Sequence, residues 1–248
     1  YEERPITVRV NLHRISRESL MERLASEGVR ARKVEGIACA LEISGYDYLA
    51  ALPSFREGLF QVQDVSSMLA VLKAAPRRGD YCIDVCAAPG GKSLHLADLL
   101  DGTGMVEARD LTEYKVQLIE ENIARSGMTN IRAVQWDATV PDEVSAGKAD
   151  VVLADLPCSG LGVLNKKRDR KYRMTPEQEK ELVHLQRRIL ETVQQYVKPG
   201  GTLVYSTCTV HREENEGNTA WFLEHFPFVL KEQIQMLPGR DPWDGFYI

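Results

Sequence analysis

The stretch Asp84-Val85-Cys86-Ala87-Ala88-Pro89-Gly90-Gly91-Lys92 decides the fold. The apolar run from Tyr81 to Val85 predicts a buried parallel strand, and a helical pattern follows from Ser93 to Leu100. Strand, small-residue turn and helix start together open a doubly wound, nucleotide-type fold. In such a turn Gly90 and Gly91 let backbone approach a ligand, and the helix N-terminus offers free N–H groups. The spacing is neither G-x-G-x-x-G nor G-x-x-x-x-G-K-[ST], so neither a dinucleotide nor a P-loop triphosphate site is implied. Taken alone, the turn is as compatible with a tight structural bend as with a ligand.

Outward from this turn the chain alternates. Strands are expected at 81–85, 104–109, 131–135, 150–154, 202–206 and 228–233, and helices at 93–100, 113–126, 176–197 and 213–225. Thr175, Pro176 and Gln178 form a capping-box start for the longest helix. Asp64 caps a helix running toward Pro76. The alternation predicts an α/β architecture: a Rossmann-like, mostly parallel, doubly wound sheet covered on both faces. Residues 1–57 read as a small N-terminal α+β subdomain and residues 58–248 as the catalytic domain. In the subdomain, strands are expected at Ile6–Val10 and Ala38–Ile43. A helix follows Ser16, and a shorter one over Tyr46–Leu52 ends before Pro53. Its basic residues, Arg9 and Arg14 among them, are matched by acids, so a solvated face and an RNA surface are both open on composition.

The 248 residues suffice for one such core and an appendage. Hydrophobic content of 44% and charged content of 27% are those of a globular protein. No apolar run approaches the roughly 18 residues of a membrane span. The chain opens at Tyr1 in an already charged segment, which predicts a natural N-terminus further upstream. Five widely spaced cysteines show no C-x-x-C pair, so neither zinc nor a disulfide framework is expected, and reduced thiols in a cytoplasmic protein fit best. The net charge of −5 excludes a uniformly basic nucleic-acid binder but not a local basic patch.

Ligands of open α/β sheets lie at the carboxyl ends of the strands. Asp110 closes the second strand, where a ribose-binding carboxylate belongs; Asp137 follows the third, and Asp155 follows Val151-Val-Leu-Ala154. Any one of them could simply cap a turn. All three in register around one turn predict an adenosine-type ligand. Two cysteines, in Asp155-Leu-Pro-Cys158-Ser-Gly160 and Tyr205-Ser-Thr-Cys208-Thr209, also lie just past strand ends, whereas Cys39 and Cys82 read as small buried hydrophobes. A thiolate beside an adenosine-type site fits methylation of a pyrimidine at carbon 5. That carbon is a poor nucleophile until a thiolate adds at carbon 6.

Cys86-Ala-Ala-Pro-Gly-Gly-Lys92, Asp155-Leu-Pro-Cys-Ser-Gly160 and Ser206-Thr-Cys-Thr209 resemble the signature motifs of RNA cytosine-5 methyltransferases of the NOL1/NOP2/Sun family. Arg9-Val-Asn11 and Gly58–Ser67 resemble its bacterial Sun branch, which acts on 16S ribosomal RNA. The resemblance implies a class I methyltransferase fold with S-adenosyl-L-methionine as cofactor. It places Cys86, Ala87, Ala88, Pro89, Gly90, Gly91, Lys92, Asp110, Asp137 and Asp155 at the cofactor. It makes Cys208 the nucleophile and Cys158 the cysteine that assists product release. Asp155 and Lys92 would also face the base, the carboxylate accepting from its amino group. DNA cytosine-5 methyltransferases put the nucleophile in the Pro-Cys motif, and spacing alone does not decide between the two cysteines. The branch usually carries an N-terminal NusB-like domain and a few further residues of C-terminal strand, neither of which is seen here.

Lys166-Lys-Arg-Asp-Arg-Lys-Tyr-Arg173 is the densest basic run and follows the Pro-Cys motif. Lys166, Lys167, Arg168, Arg170, Lys171 and Arg173 are expected to contact the phosphates of single-stranded or flipped-out RNA. His211, Arg212, Glu213 and Glu214 read as a helix start without a chemical role. No membrane and no metal are expected, and a monomer is favoured. Transfer RNA in place of ribosomal RNA, and a non-catalytic cofactor-binding assembly factor, remain the competing readings.

Overall fold

The computed structural model describes residues 6–163 and 175–248. The chain begins with β1 (Ile6–Val10), α1 (Arg17–Ser26), β2 (Arg30–Lys33), β3 (Ala40–Ser44), the one-turn helix α2 (Pro53–Arg56) and β4 (Phe60–Val62). These four strands form an antiparallel sheet in the order β2-β3-β1-β4. Ser16 caps α1 by accepting from the Ser19 N–H at 3.1 Å, as the sequence predicts.

Two details depart from expectation. Pro53 starts a helix instead of ending one, since proline at the first helical position sacrifices no hydrogen bond; the turn before it is a 3-10 helix over Leu49–Ala51. β2, a charged edge strand, and the three-residue β4 are both absent from the sequence reading, and β4 extends the first sheet beyond residue 57.

The larger unit continues with α3 (Val65–Ala74), β5 (Tyr81–Asp84), α4 (Gly91–Leu99), β6 (Met105–Asp110), α5 (Glu113–Ser126), β7 (Ile131–Gln135), β8 (Ala149–Asp155), α6 (Pro176–Val193), β9 (Val197–Ser206), α7 (Glu216–His225), β10 (Gln235–Met236) and β11 (Phe246–Tyr247). The five strands β7-β6-β5-β8-β9 are all parallel. The order runs outward from β5 in one direction and then from β8 in the other, so the crevice between β5 and β8 is the topological switch point. One face packs Cys82, Leu94, Leu96, Val106 and Ile119; the other packs Ile83, Val152, Ile189, Leu190, Val193 and Phe222. Burial pushes the Cys82 thiol up to about 12, in keeping with an inert core cysteine.

The caps expected from sequence are present. Asp64 accepts from the Ser66 N–H at 3.0 Å, and Thr175 and Gln178 bond each other's backbone. The strand expected at 228–233 is absent. Phe228 packs against Phe222, but Val229 is 87% exposed, and the segment joins no ladder; two short strands, β10 and β11, pair antiparallel instead.

The two units are joined through a buried ion pair. Arg9, counted in the sequence among the residues of a solvated or RNA-binding face, is 1% exposed. It donates to Asp98 Oδ2 on α4 at 2.9 Å and to Gln63 Oε1 at 2.9 Å. Asp98 also accepts the N–H groups of Leu12 and His13. Asn11 bonds the carbonyls of Gly58 and Ser126. Among the described residues no helix is long and apolar enough to cross a membrane.

Candidate active site

Three loops meet at the carboxyl ends of β5, β8 and β9. The first carries the glycine turn. Gly90 has φ +103, a conformation that strains any residue with a Cβ, and a Cβ there would also lie 3.4 Å from Ile119. The turn thus delivers the chain into α4 with the backbone of Gly91 and Lys92 at the helix start. Asp84, at the end of β5, is 1% exposed. Its Oδ2 accepts from Ser93 Oγ at 2.6 Å, while Oδ1 has no hydrogen-bond partner among the described residues. Burial, reinforced by Asp155, pushes this carboxyl up to about 7.

Asp110, buried at the end of β6, accepts from the Ala88 N–H at 2.9 Å, from the Leu111 N–H at 2.8 Å and from Lys115 Nζ at 2.9 Å. It therefore ties the glycine turn to the second strand. Asp137 lies on the adjacent connection, for the Trp136 N–H donates to the Asp110 carbonyl at 2.9 Å. Its own carboxylate is exposed and accepts the Thr139 hydroxyl and N–H, which hold it below the usual carboxylate range. Cys86 sits in the turn itself, where burial and the carboxylates of Asp110, Asp84 and Asp155 push its thiol far up.

The second and third loops carry the two cysteines. Because β8 and β9 are neighbours, Cys158 and Cys208 meet with their sulfurs 3.2 Å apart. Cys158 is 9% exposed and Cys208 is half-buried. The Cys158 thiol is held well above its ordinary value, first by its hydrogen bond with Cys208 and then by burial. Lys92, on the first turn of α4, reaches Asp155 Oδ2 at 2.7 Å; Asp155 Oδ1 accepts from Ser206 Oγ at 2.8 Å. Burial works against the Lys92 charge, but Asp155, with help from Asp84 and Cys208, holds its ammonium above the ordinary lysine value. The Lys92 ammonium also lies 5.4 Å from the centre of the Phe246 ring.

The structure thus brings Cys86 through Lys92, Asp110, Asp155, Cys158 and Cys208 around one crevice, with Asp137 on its flank. Lys166, Lys167, Arg168, Arg170, Lys171 and Arg173 lie outside the described residues. No local signal in the sequence marks the groups behind the cysteines. Ser159 and Thr209 join their hydroxyls at 2.7 Å, and Gly162 N–H donates to the Cys208 carbonyl at 3.0 Å. The Gly245 N–H donates to the Gly162 carbonyl, and Thr207 and Tyr247 exchange backbone bonds at 3.1 and 2.9 Å. A Cβ on Gly162 would collide with the Gly245 carbonyl, so glycine is required at this crossing. Glu214 and Asn215, which read as a helix start, are wholly buried here. Nothing in their local pattern separates them from exposed polar residues at a cap.

A cavity of about 300 Å³ lies at the outer edge of β9, lined by Leu203, Phe222, Phe228 and Leu230. It contains neither cysteine and is apart from this chemistry. Among the described residues no cluster of three His, Cys, Asp or Glu groups could hold a metal ion.

Comparison with known proteins finds relatives across nearly the whole chain. Residues 71–248 match the family described as 16S rRNA methyltransferase RsmB/F, and residues 2–46 match the ferredoxin-like domain of RsmF/B-like methyltransferases. The probable ribosomal RNA small subunit methyltransferase B of Bacillus subtilis is 36% identical over 98% of this chain. The chain spans 58% of that relative's length. A methyltransferase homologue from Pyrococcus horikoshii superposes with a TM-score of 0.83 at 28% identity, covering 99% of this chain and 85% of that one. NSun6 from the same organism, solved with SFG, shares the fold at a TM-score of 0.84 and 23% identity, over 98% of this chain and 89% of that one.

Proposed function

This chain belongs to the 16S rRNA methyltransferase RsmB/F family, and from that membership and the paired thiols we propose that it methylates carbon 5 of a cytosine in small-subunit ribosomal RNA. The observation that carries the reading is the 3.2 Å contact between Cys158 and Cys208 beside the Lys92–Asp155 pair. S-adenosyl-L-methionine, when bound, supplies an electrophilic methyl group.

The residues present fit that cofactor. The N-terminus of α4 after the glycine turn has no side-chain cap, Asp110 stands at the end of the strand beside which the ribose of such a cofactor would lie, and Asp84 Oδ1 is a buried acceptor with no partner among the described residues. Asp137 flanks the same crevice from the next strand.

Cys208 attacks carbon 6 of the cytosine as a thiolate, and the electrons of the carbon 5–carbon 6 double bond move to carbon 5, which would accept the methyl group as the sulfonium's carbon–sulfur bond breaks and its electron pair leaves with the thioether S-adenosyl-L-homocysteine. Lys92 and Asp155 hold the base: the ammonium meets its carbonyl or ring nitrogen and the carboxylate accepts from its amino group. Elimination follows. The carbon-5 proton leaves to a base, the carbon 5–carbon 6 double bond reforms, and the Cys208–carbon 6 bond breaks to return the thiolate. Cys158 assists this last step. Exposure and charge are in keeping with these assignments: Cys208 is the less buried of the two thiols, and the Lys92 ammonium interacts with it.

Covalent trapping tests the proposal. RNA containing 5-fluorocytosine cannot complete the elimination, so a working nucleophile stays bonded to it. An adduct that persists in Cys158→Ala and vanishes in Cys208→Ala is expected. Loss in Cys158→Ala alone would reverse the two roles, and no adduct from the intact protein would favour a non-catalytic factor.

A further inference from the structure

Glu214 has no part in the chemistry above, yet it is wholly buried where the two cysteine loops meet. Its Oε2 accepts from the Ser159 N–H at 3.0 Å and from Gln186 Nε2 at 2.8 Å. Ser159 directly follows Cys158. Gln186, on α6, donates also to the Pro157 carbonyl at 2.8 Å, so the two residues grip the Pro-Cys loop on both sides of its cysteine. From the other direction, Glu214 belongs to the segment that leaves the Thr-Cys loop. The Tyr205 hydroxyl donates to its carbonyl, and Asn218 Nδ2 donates to Gln186 Oε1 at 2.8 Å.

No lysine or arginine pairs with this carboxyl among the described residues. His211 Nδ1 is 3.6 Å from Oε1, beyond hydrogen-bond reach, and Oε1 has no hydrogen-bond partner there. Burying such a group is unfavourable, and an apolar side chain would fill the same volume more cheaply. What an apolar side chain cannot supply is an acceptor on which the Ser159 backbone and Gln186 converge.

We propose that Glu214 is a positioning residue: its Oε2 anchors the Pro-Cys loop so that the Cys158 thiol stays against Cys208, and it thereby controls release of the methylated base and not attack on it. This rests on the roles given above to the two cysteines.

The test compares Glu214→Ala, which removes the acceptor, with Glu214→Gln, which keeps one. With S-adenosyl-L-methionine and unmodified RNA, the alanine variant is expected to accumulate a denaturation-resistant protein–RNA complex about tenfold above wild type, the effect expected when the loop loses its Ser159 N–H bond to the buried acceptor. Its cofactor affinity should be unchanged, and the glutamine variant should behave as wild type. Wild-type turnover without the complex, or a joint fall in methylation and cofactor affinity without it, would overturn the proposal. If the alanine variant melts below the assay temperature, Glu214→Asp, whose shorter side chain cannot reach Ser159, takes its place with the same expectation.

A second readout needs no RNA. Phenylarsine oxide bridges two thiols only when they are close, and peptide mapping should find it across Cys158 and Cys208 in the wild type and Glu214→Gln but not in Glu214→Ala. Equal bridging in the alanine variant, or none in the wild type, would overturn the positioning role. If the wild type forms no adduct on 5-fluorocytosine RNA, the catalytic reading has failed, and the arsenical result alone decides whether Glu214 sets the register of the thiols.

Discussion

Cys158 and Cys208 are 50 residues apart in sequence and 3.2 Å apart at their sulfurs, each just beyond the end of one of two adjacent parallel strands. The two thiols are unequal in exposure: Cys158 is buried, and the more exposed Cys208 interacts with the Lys92 ammonium.

That inequality predicts selective alkylation. Iodoacetamide at neutral pH should modify Cys208 at least about tenfold faster than Cys158, because the thiolate is the reacting species. Lys92→Met should slow the Cys208 reaction several-fold. Mass mapping of partially alkylated protein reads both, and equal rates would remove the basis for assigning the nucleophile.

Asp84 predicts a pH-dependent stability. Its carboxyl is raised from an ordinary 3.8 to about 7 in the folded state, so between those values the native protein binds the extra proton. Stability from this group is fully present below about 4, falls as pH rises, and is lost above about 7. The upper bound is roughly 4 kcal/mol, since each tenfold gain in proton affinity is worth about 1.4 kcal/mol. Asp84→Asn should flatten the melting temperature of the cofactor-free protein over this window; an unchanged slope would show that Asp84 ionises freely.

The Arg9–Asp98 pair predicts an asymmetry between single and double substitutions. Burial lowers the Arg9 value and raises the Asp98 value despite their mutual attraction, so desolvation outweighs the pairing. Arg9→Ala should cost about 3–5 kcal/mol by leaving Asp98 buried without its cation, whereas Arg9→Met with Asp98→Leu should cost less than the single substitution even though it also removes the acceptor of the Leu12 and His13 N–H groups. Urea unfolding of the three proteins measures it.

The basic run predicts a salt effect. Neutralising Lys166, Lys167 and Arg168 should weaken RNA binding and reduce the slope of log affinity against log salt by up to about 2, at roughly 0.7 per single-strand phosphate contact. An identical slope would place these residues away from the RNA.

Much of the fold was legible because its signals are local. The apolar runs at Tyr81–Val85 and Val151–Ala154, the Thr175 capping box and the glycine turn each declare themselves within a few residues. The cysteine loops were legible as positions past strand ends, but not their contact, which depends on β8 and β9 being neighbours. Arg9 looked like any surface arginine because its burial depends on Asp98, far along the chain. Glu214 looked like a cap acid for the same reason. The residues at 228–233 have strand-like composition, and only the absence of a neighbouring ladder in the structure distinguishes them from a strand.

The crossing at Gly162 has a consequence in time. Gly245 and Tyr247 bond the backbone beside both cysteines, and they lie downstream of every residue assigned to chemistry. During synthesis the glycine turn, both thiols and the Lys92–Asp155 pair all leave the ribosome before the segment that braces them. A nascent chain therefore carries both thiols before it carries the segment that braces their loops.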